Sequence, residues 1–429
     1  MECTFGSLLL SPESITNREI ITGVGDLPDP EPGNPAVLDR GTPLMKRLWR
    51  TALADIESNI IEEEGRRYFG AGAVFKKRMY LRDIAYSGVL GLNRFYPDLV
   101  FESIKAVLNV HSSLGFTVSR NFSVPEIKAG WREEDIHELE FIDTYRVNSY
   151  THRTDEVVWL WCMGDLLAEG GTSEQWKWLY ETGHACFDTF YHPFFDPDDG
   201  LYRGQASFID IHSAYNKGTA YPQEWKTADC VLLKALSTNC LYLKGFKIMA
   251  EACSRVGKNA EAENWKEKAD ALKKSIIREL RFPDGTFAYF KDRHGKREPR
   301  RECLGTALAV LFRIVEQEEA EAALRDYPIT DAGIPLLEPF YPNDLFYHNN
   351  SAWPFAETFF IKGLEQSDGK DRTPLNAALL ARSCTSEGTF CEVIDYRTGH
   401  VRQKASSQLW TAAAFLDTCV RGGLTAPSV

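Results

Sequence analysis

Amphipathic segments of helical length recur along this chain, and they constrain its fold more than any other feature. Apolar residues repeat at helical spacing in twelve stretches, which are separated by loops rich in Gly, Pro, Asp and aromatic residues. Pro97 can begin a helix, Thr172 can cap one, and Gly257 can end one. The pattern predicts helices over 43–64, 82–95, 97–113, 152–169, 172–190, 227–256, 259–279, 302–314, 316–326, 350–366, 371–384 and 405–421.

The predicted helices differ in how much of their surface is apolar. Residues 304–312 are apolar nearly all round, whereas 259–279 carries charges along one face. Two concentric rings of helices require such an alternation of buried and half-exposed helices. Because twelve helices make six hairpins, we predict an all-α fold, an (α/α)6 barrel or six-hairpin toroid, with short β ribbons such as 285–290 on its loop face. An open helical array is the alternative.

Composition indicates how the chain is organised and where it acts. Residues 1–40, rich in Pro, Gly and Asp, are predicted to form an extended N-terminal arm, and residues 41–425 a single catalytic barrel domain. We expect a cytoplasmic protein without membrane contact, since neither a signal peptide nor a run of about 20 apolar residues is visible. The net charge of −12 argues against nucleic acid as a partner. The pattern does not define an oligomeric state.

Cysteine and histidine are present without the spacing of a metal site. The chain has 10 Cys and 9 His, but it has no Cys-x-x-Cys pair, and the histidines are scattered. Most cysteines stand in apolar helical contexts, where free Cys packs as a small hydrophobic residue. We therefore predict buried free thiols, no metal site and no cofactor.

Two carboxylates in aromatic-rich loops are candidates for acid/base chemistry. Asp210 follows an apolar dipeptide, so partial desolvation can raise its pKa toward that of a proton donor. Capping of a turn or helix is an equally common role for such an Asp. Glu392 would face a cavity or solvent if its run extends as a strand. An exposed surface glutamate is the slightly favoured alternative, and Glu387, beside a turn, is its nearest competitor.

Further polar and aromatic residues begin predicted helices. Arg82 and Asp83 can bind sugar hydroxyls or form a local ion pair and cap. Asp155 opens an apolar helix, so capping is its default role. Trp353 is a candidate stacking platform, although core packing is the more common role of a single Trp.

Taken in order, these pieces resemble the six-hairpin glycosidases, in particular the glucosidase domain of glycogen-debranching enzymes and related inverting α-glycosidases. The likeness runs from about residue 75 to 420. Asn350 stands where that family has Gly, and Phe-Ile-Asp replaces its Trp-Met-Asp. The loop 116–150 has no counterpart. The matching motifs are Arg82-Asp83, Asp155 followed by Trp159, Ser207-Phe-Ile-Asp210 with Tyr221, Tyr347-His-Asn-Asn-Ser-Ala-Trp353-Pro, and Glu392-Val-Ile-Asp395 followed by Gln408 and Trp410.

The resemblance implies inverting hydrolysis, with Asp210 as general acid and Glu392 as general base about 6.5–9.5 Å apart. It implies a small carbohydrate as the partner, a glycoside or oligosaccharide that loses a terminal, α-linked sugar. The residues expected to hold or shape the sugar subsite are Arg82, Asp83, Asp155, Trp353 and Gln408, with Trp131, Tyr221, Tyr347, His348 and Trp410 as further candidates.

Three other functions fit the same predicted toroid. A sugar epimerase or isomerase would use a histidine base, for which His212 and His348 are available. An unsaturated-uronide hydrolase would need a different arrangement of carboxylates. A non-catalytic, sugar-binding helical scaffold would need neither acid.

Overall fold

Helices follow one another in hairpins along most of the described chain. The computed structural model describes residues 3–5, 8–10, 28–63, 65–75, 79–114, 155–209, 219–225, 229, 232–385, 387–401 and 407–425. Each of the twelve predicted helices has a counterpart there. They are α1 Pro43–Ser58, α2 Leu81–Ser87, α3 Pro97–Leu114, α4 Asp155–Ala168, α5 Ser173–Cys186, α6 Leu236–Arg255, α7 Asn259–Leu280, α8 Cys303–Leu311, α9 Glu318–Leu324, α10 Pro354–Asp368, α11 Thr373–Arg382 and α12 Leu409–Arg421.

The six even-numbered helices close into an inner ring. Helices α2, α4, α6, α8, α10 and α12 contact one another in that order, and α12 contacts α2 again. The odd-numbered helices pack around them, with α1 and α11 on α12, α3 on α2, α5 and α7 on α6, and α9 on α10. The fold is therefore the predicted (α/α)6 toroid, and the open helical array is excluded.

Burial follows the two rings. Every residue of α2 is buried, and so are the residues of α8 from Cys303 to Val310. The outer helix α7 buries a single face, which includes Trp265 and Leu272. Thr42 caps α1 by accepting a hydrogen bond from the Met45 N–H at 3.2 Å. The expected alternation of buried and half-exposed helices is thus confirmed.

Short strands take the place of several predicted helix ends. Helix α1 stops at Ser58 because the β-branched pair Ile60 and Ile61 starts β3 (Ile60–Glu63), which pairs with β4 (Arg66–Phe69). Helix α10 starts at Pro354 because β11 (Ser351–Ala352) precedes it. Helix α6 starts at Leu236 and not at 227, because β7 (Lys234–Ala235) pairs with β8 (Phe290–Lys291).

A buried ion-pair network holds β7 in place. Lys234 Nζ lies 2.5 Å from Asp196 Oδ2 and 2.6 Å from Asp199 Oδ2. Lys291 Nζ on β8 reaches the same Asp199 carboxylate at 2.9 Å. Charges removed from water need such partners, so the positions of these acids fix Lys234 in an extended segment.

The remaining strands form short antiparallel ribbons. They are β1 (Cys3–Phe5) with β2 (Leu8–Leu10), β5 (Phe195–Asp196) with β6 (Leu201–Tyr202), β9 (Arg301–Glu302) with β10 (Leu337–Glu338), and β11 with β12 (Ile394–Asp395) and β13 (His400–Val401). The ribbon predicted at 285–290 is displaced, since β8 covers only Phe290 and Lys291. The division into an arm and a barrel domain stays a prediction.

The described residues also bear on two compositional predictions. The eight cysteines whose side chains are described are buried free thiols, as the sequence predicted. None of the described helices combines the length and the apolar character that crossing a membrane would require.

Candidate active site

Several candidate residues lie where inner helices begin. Because every αα-hairpin reverses the chain, the six inner helices start at the same end of the toroid. Arg82 and Asp83 lie in the first turn of α2, and Asp155 is the first residue of α4. Trp353 and Gln408 immediately precede α10 and α12. The candidates therefore gather at one end of the barrel.

The ring of Phe208 joins three of the motifs. Its centroid lies 5.9 Å from His348, 5.1 Å from Trp353 and 6.2 Å from Trp410. Phe355 packs beneath it at 4.8 Å and stacks on Trp410 at 4.2 Å. The segment that leads to Asp210, the Tyr347–His348 loop and the start of α12 thus meet in one aromatic cluster.

The segment before Asp210 is held by hydroxyl groups. Tyr221 Oη accepts a hydrogen bond from the Ala206 N–H at 3.1 Å and donates one to the Ile209 carbonyl at 2.8 Å. The Ser207 N–H donates to Ser237 Oγ at 2.9 Å. Tyr221, predicted as a sugar contact, is 1% exposed and supports this backbone.

Helix α2 approaches the same segment. Tyr86 Oη lies 2.7 Å from Ser207 Oγ, and the Tyr86 ring packs on Phe355 at 5.3 Å. Arg82 precedes Tyr86 by one helical turn and lies on the same face of α2. It is therefore nearer the end of the barrel at which the inner helices begin. Arg82 and Asp83 are buried at 7% and 3% exposure although both carry charge. Their role in a sugar subsite stays a prediction.

The loop before α10 is tied to the segment after Asp210. Thr219 Oγ1 accepts hydrogen bonds from the His348 N–H at 2.9 Å and the Asn349 N–H at 3.2 Å. Asn350 has φ +54°, a conformation that Gly adopts freely and Asn tolerates better than most residues. Its Nδ2 donates to the carbonyls of Asn343 and Leu345. The departure from the family's Gly is therefore structurally compatible.

Glu392 is buried beside this loop. It is 3% exposed, which excludes the alternative of an exposed surface glutamate. The ladder that pairs Ala352 with Ile394 brings the Glu392 segment alongside the residues that precede α10. Glu387, its competitor, is exposed next to the turn at Gly388, which has φ +75°.

Asp55 is a residue of this region that the sequence reasoning missed. Its Oδ2 accepts a hydrogen bond from the Phe390 N–H at 2.6 Å, two residues before Glu392. The Gln408 N–H donates to the Phe390 carbonyl at 3.0 Å. Burial raises the pKa of Asp55 to about 7. The available signal was an acid on the apolar face of α1, next to Ile56.

Backbone strain also marks this region. Phe208 has φ +56°, Tyr347 has φ +134° and Ser407 has φ +37°. Such φ values are strained in residues other than Gly, and they are found mainly at active sites and ligand-binding sites. Each of the three is next to, or two residues from, a predicted site residue. Periodicity carries no signal for such conformations.

Several buried polar groups at the start of α12 have no hydrogen-bond partner within the described part of the chain, and two of them belong to predicted site residues. These two are the Gln408 side-chain amide and the Trp410 indole N–H, on residues that are 0% and 2% exposed. Buried polar groups normally form hydrogen bonds. A group outside the described part of the chain is therefore a suitable partner for each of the two. Asp210 and Trp131 lie outside the described residues, as does the side chain of Asp155.

Three buried carboxyl groups predict how stability depends on pH. Burial raises the pKa of Asp55 to about 7 and those of Glu302 and Glu357 to about 8. Because these values exceed those of the unfolded chain, the folded state binds more protons between about pH 4 and 8. We expect Tm to fall from pH 5 to pH 8.

Thermal unfolding at a series of pH values tests this expectation. Glu357→Gln should flatten the slope, since its amide oxygen can still accept the Ile334 N–H that donates to Glu357 Oε1 at 2.8 Å. Glu263→Gln, on the exposed face of α7, should leave the slope unchanged. A Tm that stays constant or rises over this range would contradict the prediction.

The closed ring of six helical hairpins is the toroid of the structural class that includes the six-hairpin glycosidases. Within that class, the profile of the mannosylglycerate hydrolase MGH1-like glycoside hydrolase domain matches residues 192–411, just over half of the chain. The chain belongs to this family of glycoside hydrolases. No curated protein sequence matches it.

Solved structures confirm the fold. A glycosidase in complex with glucose has 14% identity and a TM-score of 0.61, over 89% of this chain and 98% of its own. Neutral trehalase Nth1 from Saccharomyces cerevisiae has 13% identity and a TM-score of 0.56, over 84% and 76%. A sialidase has 12% identity and a TM-score of 0.63, over 90% of this chain and 34% of its own. Identities this low show the shared toroid and nothing finer.

Proposed function

We propose that this glycoside hydrolase acts with inversion and removes a terminal, α-linked sugar from a small glycoside or oligosaccharide. The observation that carries the proposal is the burial of Glu392 in a segment that pairs with the residues before Trp353, and Trp353 belongs to the cluster around Phe208. Two carboxylates that flank one sugar are the machinery of glycoside hydrolysis.

In the proposed reaction Asp210, protonated, donates its proton to the departing glycosidic oxygen. Glu392 takes a proton from a water molecule, which attacks the anomeric carbon from the opposite face of the ring. The water must fit between sugar and base, so the two carboxyl groups should lie about 6.5–9.5 Å apart. This separation stays a prediction because Asp210 lies outside the described residues.

Polar groups at the starts of α2 and α12 would hold the sugar. Arg82 and Asp83 offer a cation and a carboxylate, and the Gln408 amide offers both a donor and an acceptor. Trp353 is 1% exposed and stacks on His348 at 5.2 Å, which favours core packing over an open stacking platform. In this proposal Trp353 therefore shapes the wall of the subsite.

Names of the similar proteins suggest which glycosides to examine first. The matched family is named for hydrolysis of mannosylglycerate, and one similar structure is a trehalase. Both names describe small substrates, which agrees with a sugar held in a pocket. We propose a sugar linked to a small polar group, either a short acid or a second sugar.

Proton NMR of a glycoside panel tests reaction and substrate together. The panel should contain mannosylglycerate, trehalose and other α-linked glucosides and mannosides, with β-linked isomers as matched controls. We expect hydrolysis of an α-linked member, with the β-anomer of the free sugar appearing first. Early appearance of the α-anomer would rule out inversion.

The same spectra separate the alternative functions. Conversion of a free sugar into its epimer, with no glycosidic bond broken, would indicate an epimerase. His348, 2% exposed within the aromatic cluster, would then be the first histidine to replace. Hydrolysis of unsaturated uronides alone would place the chain with that class of toroid. Binding without any reaction would indicate a scaffold.

A further inference from the structure

A second group of reactive side chains lies outside the candidate active site, where α5, α6 and α7 meet. Cys253 lies in the last turn of α6 and Glu261 in the first turn of α7. The short connection between them turns at Gly257, with φ +78°. His184, in the last turn of α5, completes the group.

The three ligand atoms face one another. Cys253 Sγ lies 3.8 Å from His184 Nε2, and His184 Nε2 lies 3.4 Å from Glu261 Oε2. All three atoms lie within 4.8 Å of one another. A tetrahedral Zn²⁺, with bonds of about 2.3 Å to sulfur and about 2.0–2.1 Å to nitrogen, separates such ligands by roughly 3.4–3.6 Å. The Cys253–His184 and His184–Glu261 separations lie close to this range.

Neighbouring side chains orient the ligands. Tyr180 Oη donates a hydrogen bond to Glu261 Oε2 at 2.8 Å. The His184 ring packs edge-on against Tyr180 at 4.7 Å and Trp265 at 5.4 Å. Hydrogen bonds and packing of this kind fix the direction of a ligand before an ion arrives.

We propose that Cys253, His184 and Glu261 bind a divalent transition metal ion of intermediate softness, for which Zn²⁺ is the test ion. One sulfur, one nitrogen and one oxygen ligand suit Zn²⁺, whereas Mg²⁺ and Ca²⁺ prefer oxygen alone. The side chains of His184 and Glu261 are 28% and 40% exposed. Water can therefore take the fourth position, and the ion can enter from solvent.

Nucleophilic catalysis fits this group less well. Cys253 is fully buried, and burial raises its pKa to about 11. A reactive cysteine needs exposure and a lowered pKa, because the thiolate is the nucleophile. Bound metal would instead displace the thiol proton and join three helices. This role is independent of the glycosidase chemistry, and it departs from the sequence-based expectation that no cysteine or histidine binds metal.

Co²⁺ and Zn²⁺ binding to the chelator-treated full chain tests the site. One equivalent of Co²⁺ should produce the near-ultraviolet charge-transfer absorption of a thiolate ligand, and Cys253→Ser should abolish it. Calorimetry should show one Zn²⁺ per chain, with Kd raised at least about 10-fold in His184→Gln and in Glu261→Gln. Excess Zn²⁺ at about 100 times Kd should raise Tm by about 2–4 °C.

Matched controls make each result decisive. Zn²⁺ binding should be unchanged in Glu263→Gln, on the same helix as Glu261, and in His192→Gln, at an exposed histidine. Mg²⁺ in place of Zn²⁺ should have no effect. If Cys253→Ser fails to fold, Glu261→Gln decides, because that side chain is half-exposed. The proposal is overturned by the absence of the thiolate band, by its persistence in Cys253→Ser, or by an unchanged Kd in Glu261→Gln. An unchanged Kd would show that Glu261 is not a ligand.

Discussion

Replacing Glu392 by glutamine is expected to lower kcat on the hydrolysed glycoside by about 10²–10⁴-fold, the usual contribution of one proton-transfer group. The amide preserves the size of the side chain but cannot take a proton from water. Because Glu392 is 3% exposed and glutamine has nearly the same volume, the variant should keep the packing around this position. Steady-state kinetics with the best substrate of the NMR panel provide the measurement.

Glu387→Gln is the matched control for this variant. Glu387 lies five residues earlier in the same segment, but it is exposed next to the turn at Gly388. Its replacement should leave kcat and KM within about twofold, as surface substitutions away from a site usually have little effect. Near-normal turnover in Glu392→Gln would remove that residue from the role of base, and a loss in Glu387→Gln would transfer the role there.

Replacing Asp210 by asparagine is expected to lower kcat by about 10²–10⁴-fold on natural glycosides. The loss should be much smaller on aryl glycosides or glycosyl fluorides, because their leaving groups depart without a proton. Comparing kcat for the two kinds of substrate isolates the general acid from a residue that only positions the sugar.

Asp198→Asn controls for the change of charge in this part of the chain. Asp198 is exposed in the turn before β6, and its backbone N–H donates to Asp196 Oδ1. We expect its variant to keep full activity on both kinds of substrate. Equal losses for Asp210→Asn on activated and natural substrates would contradict the role of acid, while leaving a binding role intact.

The pattern of apolar residues predicted the helices of both rings well, because its periodicity depends on which faces of the helices are buried. An inner helix such as α8 reads as apolar all round, and an outer helix such as α7 as charged on one face. Closure was predicted from the number of helices alone, since α2 and α12 meet across more than 300 residues of sequence. Periodicity indicates which face of a helix is buried, but not which element packs against that face.

The misplaced helix start at 227 has a similar cause. Lys234 is extended because Asp196, Asp199 and β8 hold it, and those partners are remote in sequence. Local propensity is overridden by such tertiary contacts. The buried ion pairs, and not the apolar residues around them, decided where the helix begins.

The order of the motifs along the chain predicted the residues of the candidate site. It did not predict the contacts that hold those residues in place. Spacing alone left Glu392 as a surface residue, and its burial became visible only in the fold. Asp55 belongs to none of the motifs, and Phe208 belongs to one only as a neighbour of Asp210. Both act through residues they contact, Phe208 through ring packing and Asp55 through the Phe390 N–H.

The hydroxyl contacts on either side of Asp210 have a consequence for how such enzymes diverge. Tyr221 fixes Ala206 and Ile209, and Thr219 fixes the loop at His348. Both anchors flank residues 211–218 and lie outside that stretch. Insertions or exchanges within it would leave the residues that form these anchors unchanged. Related enzymes can therefore acquire new substrates by changes in this stretch, while they keep the anchoring contacts on either side of it.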